Sequence, residues 1–342
     1  MRVLFIGALN LDNPPTGGEE YKNRLLLECL HREFSILIVD TYKWNKRPLI
    51  LFRLFSEVFF YKWDRIVLSA SSRSVYRLVS IIQYFPFIAR KCVYFVIGGF
   101  FPSAVESGKY KIKPYNKLRS IIVEGKGHKL NLLTSGCSIP VNCIPNFKAF
   151  PAQEPFLDKC DSLFRFVFVS RICPEKGVRE IIEASKLLIQ DGYTNFSVTF
   201  YGPIESGFVD EFNASLNPIL RYEGQLDILG SPELSYSVLR SYDTMIFPTS
   251  WIGEGFPGVI IDAFVAGLPV IASDWNMNTE IIRHNDNGII IPSKDQLALS
   301  EAMRLLLSDR GLCRRLAYSS FSCAFHYHID KVCPQIIEAV KK

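Results

Sequence analysis

The feature that most constrains this chain is alternation. Short apolar runs recur along its length, and between them lie longer stretches with apolar residues at helical spacing. In the first half the runs are Arg2 to Ala8, Phe34 to Asp40, Arg65 to Ala70, Lys91 to Ile97, Ser120 to Val123 and Val141 to Ile144. In the second half they are Phe164 to Val169, Phe196 to Tyr201, Leu220 to Tyr222, Thr244 to Phe247, Leu268 to Ala272 and Gly288 to Ile291. Glu19 to Glu33 shows one helical stretch of the first half, and 177–190 one of the second; the last is about 329–341. Such strand–helix alternation predicts parallel sheets joined by right-handed crossovers. The two halves repeat an architecture, not a sequence.

A chain of 342 residues with 48% hydrophobic content is long enough for two full cores. Asn146 to Lys159 carries two prolines and no clear period, and reads as the linker between them. The expected class is α/β, with two Rossmann-like domains over residues 1–148 and 160–325 and a final helix over 326–342. Phe101 to Lys117, with four lysines, is expected to be a mobile loop.

The nine cysteines form no C-x-x-C pair and no regular spacing. Cys92 and Cys143 sit in or beside strand-like runs and read as small core residues. That pattern favours a cytoplasmic, reducing setting over a disulfide scaffold and argues against structural zinc. Met1 runs directly into a strand, with no signal-type segment, and charges interrupt every long apolar stretch, so a membrane-spanning helix is not expected. The net charge of +5 hides an asymmetry. Residues 1–146 hold 21 Lys+Arg against 10 Asp+Glu, and the remainder holds 18 against 24. A basic half suits an anionic partner. Lys43 to Lys62 mixes aromatics with cations, and reads either as an interfacial amphipathic helix or as a core-packed helix with snorkelling cations.

The chemistry-bearing residues gather at strand ends and helix starts. After the run ending at Ser170 come Arg171 and Lys176, five apart, with a helix opening near Gly177. Two cations beside a helix N-terminus can hold a phosphate, although surface pairing with Glu175 and Glu180 would use the same residues. Gly202 and Pro203 close another strand and can form a flat wall for a base. The stretch Phe247 to Asp274 reads as strand end, glycine-rich loop, helix, turn and strand. Glu254 lies in its loop, Pro257 suits a first helical position, and Asp262 falls on the helix's second turn. An acid in an apolar, glycine-rich loop above a helix start suits a polyhydroxyl ligand. In the first half, Gly17 and Gly18 follow the first strand, Gly98 and Gly99 the fourth, and Glu124 with Lys126 the fifth, where open α/β sheets bind ligands. The loop after the first strand carries no G-x-G-x-x-G, which disfavours a dinucleotide oxidoreductase, and there is no D-x-D metal motif. The five histidines show no metal-ligand constellation.

Together these residues resemble the GT-B glycosyltransferases, and within them retaining glycosyltransferase family 4 of the bacterial capsule and exopolysaccharide type. The likeness covers nearly the whole chain and is strongest from Phe164 to Pro292. It implies that the two sheets face a cleft and that the last helix crosses back to the first domain. It implies that Arg171 and Lys176 hold the donor diphosphate near Gly17 and Gly18. Glu254 would contact the sugar and act in transfer, Gly255, Phe256 and Pro257 would line the sugar, and Asp262 would bind ribose. The acceptor side would hold Gly98, Gly99, Glu124 and Lys126. The implied reaction moves a sugar from a nucleoside-diphosphate sugar, with retention and without metal or other cofactor. Its acceptor would be polyprenyl-diphosphate-linked or an oligosaccharide, with peripheral contact at the inner membrane surface and no nucleic acid.

Three departures from the family's pattern stand out. Asp262 replaces the usual glutamate and is one methylene shorter. Gly98 and Gly99 stand where many members carry a histidine. Asn276 to Glu280 replaces a glycine pair followed by Pro-Glu. Asp262 and the missing histidine leave room for a non-catalytic binding homologue; a nucleotide-sugar 2-epimerase on the same scaffold is a further alternative, but it would want ionisable acid/base groups, of which the first half's glycine-rich strand ends offer few.

Overall fold

The computed structural model describes residues 1–15, 17–47, 49–151, 162–228 and 231–342. They fall into two compact units. The first comprises Met1–Ala149, Gly253–Phe256 and Tyr327–Lys342, and the second Phe150–Ile252 and Pro257–His326. Of the linker expected over Asn146 to Lys159, residues 152–159 lie outside the described residues. None of the described helices is long and apolar enough to cross a membrane.

In the first unit, β1 (Arg2–Gly7), β2 (Ser35–Asp40), β3 (Arg65–Ser69), β4 (Cys92–Phe95), β5 (Ser120–Val123) and β6 (Val141–Cys143) form a parallel sheet in the order β2-β1-β3-β4-β5-β6. The helices between them are α1 (Gly18–His31), α2 (Leu49–Phe60), α3 (Ser72–Ile82), α4 (Pro86–Ala89), α5 (Phe100–Glu106) and α6 (Lys126–Thr134). The period-two pleat sorts the strand side chains onto two cores. Leu4, Ile6, Leu68 and Tyr94 pack with residues of α3 and α5 on one face. Val3, Phe5, Val67 and Val93 pack with α1 on the other.

The second unit repeats the plan with β7 (Phe164–Val169), β8 (Phe196–Tyr201), β9 (Leu220–Tyr222), β10 (Thr244–Phe247), β11 (Val270–Ser273) and β12 (Gly288–Ile291). Its helices are α7 (Val178–Gln190), α8 (Val209–Ser215), α9 (Pro232–Leu239), α10 (Gly258–Val265), α11 (Asn278–Ile281), α12 (Gln296–Ser308) and α13 (Arg310–Ala324). The parallel order is β12-β11-β10-β7-β8-β9. Strand order reverses between β7 and β10. The loops after those two strands therefore lie side by side at the sheet's C-terminal edge, where doubly wound sheets take ligands.

The last helix, α14 (Ile329–Lys341), belongs to the first unit. Ile329, Val332, Ile336 and Val340 pack into the α1 face of the first sheet. Arg65 of β3 donates to the carbonyls of Val340 and Lys341 at 2.9 and 2.6 Å.

Three expectations need revision. Cys29 of α1 and Cys333 of α14 form a disulfide, with Cα atoms 5.2 Å apart. The pair is 304 residues apart in sequence, so spacing could not disclose it; only the packing of α14 on α1 brings the thiols together. Cys92, Cys137, Cys173, Cys313 and Cys323 are buried, as small core residues are. The segment expected as a loop over Phe101 to Lys117 instead holds α5 and a 3₁₀ turn, Tyr115–Lys117. Phe101, Ala104 and Val105 recur at helical spacing onto the core, and Tyr115 is fully buried beside Phe101. Finally, Pro257 is the N-cap of α10 rather than its first residue.

Candidate functional site

At the β7/β10 edge the loop Ser170–Gly177 is fixed by close backbone contacts. Ser170 N–H donates to the Tyr201 carbonyl and Ile172 N–H to the Pro203 carbonyl, at 3.1 and 2.9 Å. Gly202 lies where a Cβ would sit 1.9 Å from the Ser170 carbonyl oxygen, and its φ of +141° is open only to glycine. Gly202 and Pro203 thus brace the cation-bearing loop; sequence reading saw them only as a wall for a base. Gly177, at φ +79°, caps α7 and has no room for a side chain, because a Cβ would lie 2.3 Å from the Pro248 carbonyl oxygen. As an N-cap without a side chain it leaves the first N–H groups of α7 for an anion.

Arg171 is exposed, with its guanidinium 4.4 Å from the ring centroid of Trp251. Lys176 is buried, and its ammonium lies 5.5 Å from the ring centroid of Phe247. Both cations are held by aromatic faces of the β10 strand and loop. That loop is itself tied down. Ser250 N–H donates to the Glu175 carbonyl at 2.8 Å, the Trp275 indole donates to the Trp251 carbonyl at 2.8 Å, and Ser273 Oγ donates to the Thr249 carbonyl at 2.5 Å. Asn278 Nδ2 donates to the Ser273 carbonyl at 3.0 Å. Trp251, Ser273, Trp275 and Asn278 were not picked out as site residues from sequence. An aromatic beside a glycine-rich loop was the available signal for Trp251.

Asp262 is 2% exposed on α10 and accepts a hydrogen bond from the Tyr236 hydroxyl of α9 at 2.9 Å. Tyr236 is also a new member of the site. Near Arg171, ligand atoms of Cys173, Glu175 and Glu205 lie within 4.8 Å of one another. Burial pushes the Cys173 thiol above its ordinary pKa, which disfavours the thiolate that a metal would need.

The other named residues lie in the first unit. Gly17 and Gly18 open α1, and a Cβ on either would meet nothing within 4 Å. Gly98, Gly99 and Glu124 come together with the segment Gly253–Phe256. Glu124 is 4% exposed, forms an ion pair with Lys22 of α1, and accepts from the Gly98 N–H at 3.3 Å. Gly99 N–H donates to the Gly253 carbonyl at 3.3 Å. A Cβ on Gly99 would sit 2.2 Å from the Glu254 carbonyl oxygen, and one on Gly255 would sit 2.6 Å from Gly98 Cα. The backbone carrying Glu254 therefore lies directly on the Gly98–Gly99 turn, and the Glu254 side chain is half-buried. Phe256 is buried, accepts from Asn146 Nδ2 at 3.0 Å through its carbonyl, and has its ring 5.6 Å from Tyr327. Lys126 is exposed at the start of α6. Lys22 was not anticipated, since nothing in sequence links residues 22 and 124.

Residues 152–321, which include the Arg171–Lys176 loop and the Asp262 helix, match the family model described as glycosyl transferases group 1. The match spans nearly all of the second unit and just under half of the chain. Relatives of the chain include an exopolysaccharide phosphotransferase of Streptomyces coelicolor, 34% identical over 170 residues, which are 49% of this chain and 18% of that protein. They also include the UDP-Gal:α-D-GlcNAc-diphosphoundecaprenol α-1,3-galactosyltransferase of Escherichia coli, 24% identical over 216 residues, 58% of this chain and 54% of that one. The matched stretch is thus no more than about half of either relative. Over the whole chain the structure is similar to Anabaena HepE in complex with UDP-glucose, with a TM-score of 0.73, 15% identity, and 100% and 99% of the two chains covered. That likeness is of fold: two Rossmann-like units with parallel sheets, as in GT-B architectures.

Proposed function

We propose that this protein transfers a sugar from a nucleoside-diphosphate sugar to a hydroxyl of a lipid-linked or oligosaccharide acceptor in surface-polysaccharide assembly. The observation that carries the proposal is the braced loop Ser170–Gly177. It offers Arg171, Lys176 and the uncapped start of α7 together, inside the stretch that matches the group 1 glycosyl transferase model. Breaking the anomeric bond leaves a nucleoside diphosphate whose charge must be stabilised as it forms. Fixed cations and a helix dipole supply that without reorganisation, and without a metal.

Retention is the stereochemistry that the family resemblance implies. The acceptor hydroxyl would attack from the face the diphosphate leaves, with the departing phosphate taking the proton. Glu254 would bear on sugar hydroxyls and Asp262 on the ribose. The polyprenyl-type acceptor is supported by the diphosphoundecaprenol acceptor in the name of the Escherichia coli relative and by the basic first half of this chain. That acceptor chemistry also supports peripheral contact with a membrane.

Incubation with nucleotide sugars tests the reading. Slow release of nucleoside diphosphate, faster with a polyprenyl-diphosphate sugar present, is the expected result. C2 epimerisation of the sugar, or binding with no turnover, would overturn it. Glu254→Gln should leave nucleotide binding nearly intact and cut transfer by about tenfold or more, as a lost transition-state contact does. Unchanged turnover in that variant removes Glu254 from the mechanism.

A further inference from the structure

An ion pair lies in the first unit where the fold least needs one. Lys22 of α1 and Glu124, directly after β5, are 8% and 4% exposed. Phe95, Ile122, Ile144 and Phe147 line the same small hollow. Taking two charges out of water costs about as much as their attraction returns, and apolar side chains of the same size often stabilise a fold as well. Stability alone is therefore a weak reason for this pair. Its neighbours supply another.

Lys22 stands on a fixed base. The next residue, Asn23, is fully buried; its Nδ2 donates to the carbonyls of Ala8 and Ser69 at 2.8 and 2.9 Å, and its Oδ1 accepts from Ser69 Oγ at 2.6 Å. Those bonds tie α1 to the ends of β1 and β3. Lys22 holds Glu124 through Oε1, and Oε2 accepts from the Gly98 N–H at 3.3 Å. An ionised acceptor makes the stronger bond to an amide. Gly98, at φ +74°, begins the turn after β4. The other side of that turn is the bed of the Glu254 backbone. Gly99 N–H donates to the Gly253 carbonyl at 3.3 Å, and a Cβ on Gly99 would lie 2.2 Å from the Glu254 carbonyl oxygen. A Cβ on Gly255 would lie 2.6 Å from Gly98 Cα and 3.0 Å from Glu124 Oε2. With glycine at 98, 99 and 255, backbone rests on backbone, so a shift of the turn passes directly to Glu254.

We propose that Lys22 and Glu124 are positioning residues for Glu254: their ion pair fixes the Gly98–Gly99 turn, and the turn fixes the backbone from which Glu254 reaches the donor sugar. The proposal deepens the transferase reading and rests on it for the role of Glu254. Glu124, which the family likeness put on the acceptor side, acts here through its neighbours and not on substrate. A displacement of about 1 Å in a group that bears on the reacting centre can cost about a hundredfold in rate, which is enough to make such a brace matter.

The test uses the full chain and two double variants that remove both charges together, so that neither leaves a buried charge alone. Lys22→Met/Glu124→Leu has no acceptor for the Gly98 amide, whereas Lys22→Met/Glu124→Gln keeps one in its side-chain carbonyl. UDP-glucose, UDP-galactose and GDP-mannose are screened with the wild type, and the sugar nucleotide turned over fastest is used throughout. The leucine variant should lower kcat about tenfold or more while donor KM and the nucleoside-diphosphate thermal shift stay as in the wild type, and the glutamine variant should recover to within about threefold. Added to Glu254→Gln, the leucine variant should cost less than about twofold more, because nothing is left for the brace to position. Equal losses in the two variants, or a further loss of about tenfold on top of Glu254→Gln, overturn the proposal. Amide hydrogen exchange reads the same geometry without turnover. A peptide over residues 96–101, which holds the Gly98 and Gly99 amides, should exchange faster in the leucine variant and as in the wild type in the glutamine variant. Unchanged exchange in the leucine variant overturns the brace. A wild type that turns over none of the sugar nucleotides overturns the transferase reading instead, and the brace then stands or falls on exchange.

Discussion

Asp262 shows how much one buried acid depends on its neighbours. At 2% exposure its carboxylate is viable only with polar partners, and the Tyr236 hydroxyl is one of them. Asp262→Ala is expected to cost about 1–3 kcal/mol of stability, because it leaves a buried phenol short of its acceptor, in addition to any loss of nucleotide affinity. Asp262→Asn keeps an acceptor and should cost less. Denaturant melts of both variants, run beside nucleotide titrations, separate the two effects; an unchanged melt for the alanine variant sinks the structural part. Cys92 makes a second case. Burial pushes its thiol up to about 12, so almost no thiolate exists at neutral pH. Alkylation followed by mass spectrometry should leave Cys92 unmodified in the folded protein at pH 8 and modify it in urea. Labelling of Cys92 in the native state would contradict that burial.

Among elements, the cation-bearing loop of the candidate site is held by glycines that have no freedom to change. Gly202→Ala would place a methyl 1.9 Å from the Ser170 carbonyl oxygen at a φ that alanine avoids. The Ser170–Arg171 backbone must then move, and the nucleoside-diphosphate thermal shift should shrink or vanish. A variant that keeps wild-type affinity would show that the loop's position does not depend on this brace. Helix α14 offers a comparable test. Its tie to α1 through Cys29 and Cys333 is expected to contribute about 2–4 kcal/mol to the first unit. Thermal scans with and without reductant, and with Cys333→Ser, should show a lower midpoint when the bond is absent. Superimposable scans would leave α14 held by packing alone.

At the scale of the molecule, the end of the chain is a structural part of its beginning. Ile329, Val332, Ile336 and Val340 are each at most 4% exposed against the first sheet. Burying a side chain of this kind stabilises by roughly 1.5–3 kcal/mol, and the sum over four, about 6–12 kcal/mol, is comparable to the whole margin of about 5–15 kcal/mol by which domains are stable. Deletion of residues 327–342 is therefore expected to give insoluble or unfolded protein, scored by soluble yield and circular dichroism. A soluble, cooperatively melting deletion would refute that role for α14.

The alternation of short apolar runs and helical stretches was enough to determine an α/β class, parallel sheets and the strand segments, because a buried strand and an amphipathic helix each need their own period. The cation-bearing loop at Arg171 and the acids Glu254 and Asp262 stood out as candidates for a related reason: charged residues are conspicuous in apolar, glycine-rich strand ends. Three things were decided only by tertiary structure. The reversal of strand order puts the loops after β7 and β10 side by side, so that Trp251 faces Arg171. The packing of α14 on α1 turns two distant cysteines into a disulfide. Lys22 and Glu124, on different elements and 102 residues apart, become one buried ion pair. Local sequence records the preferences of each segment, whereas these pairs exist only once burial of the cores has chosen which segments touch.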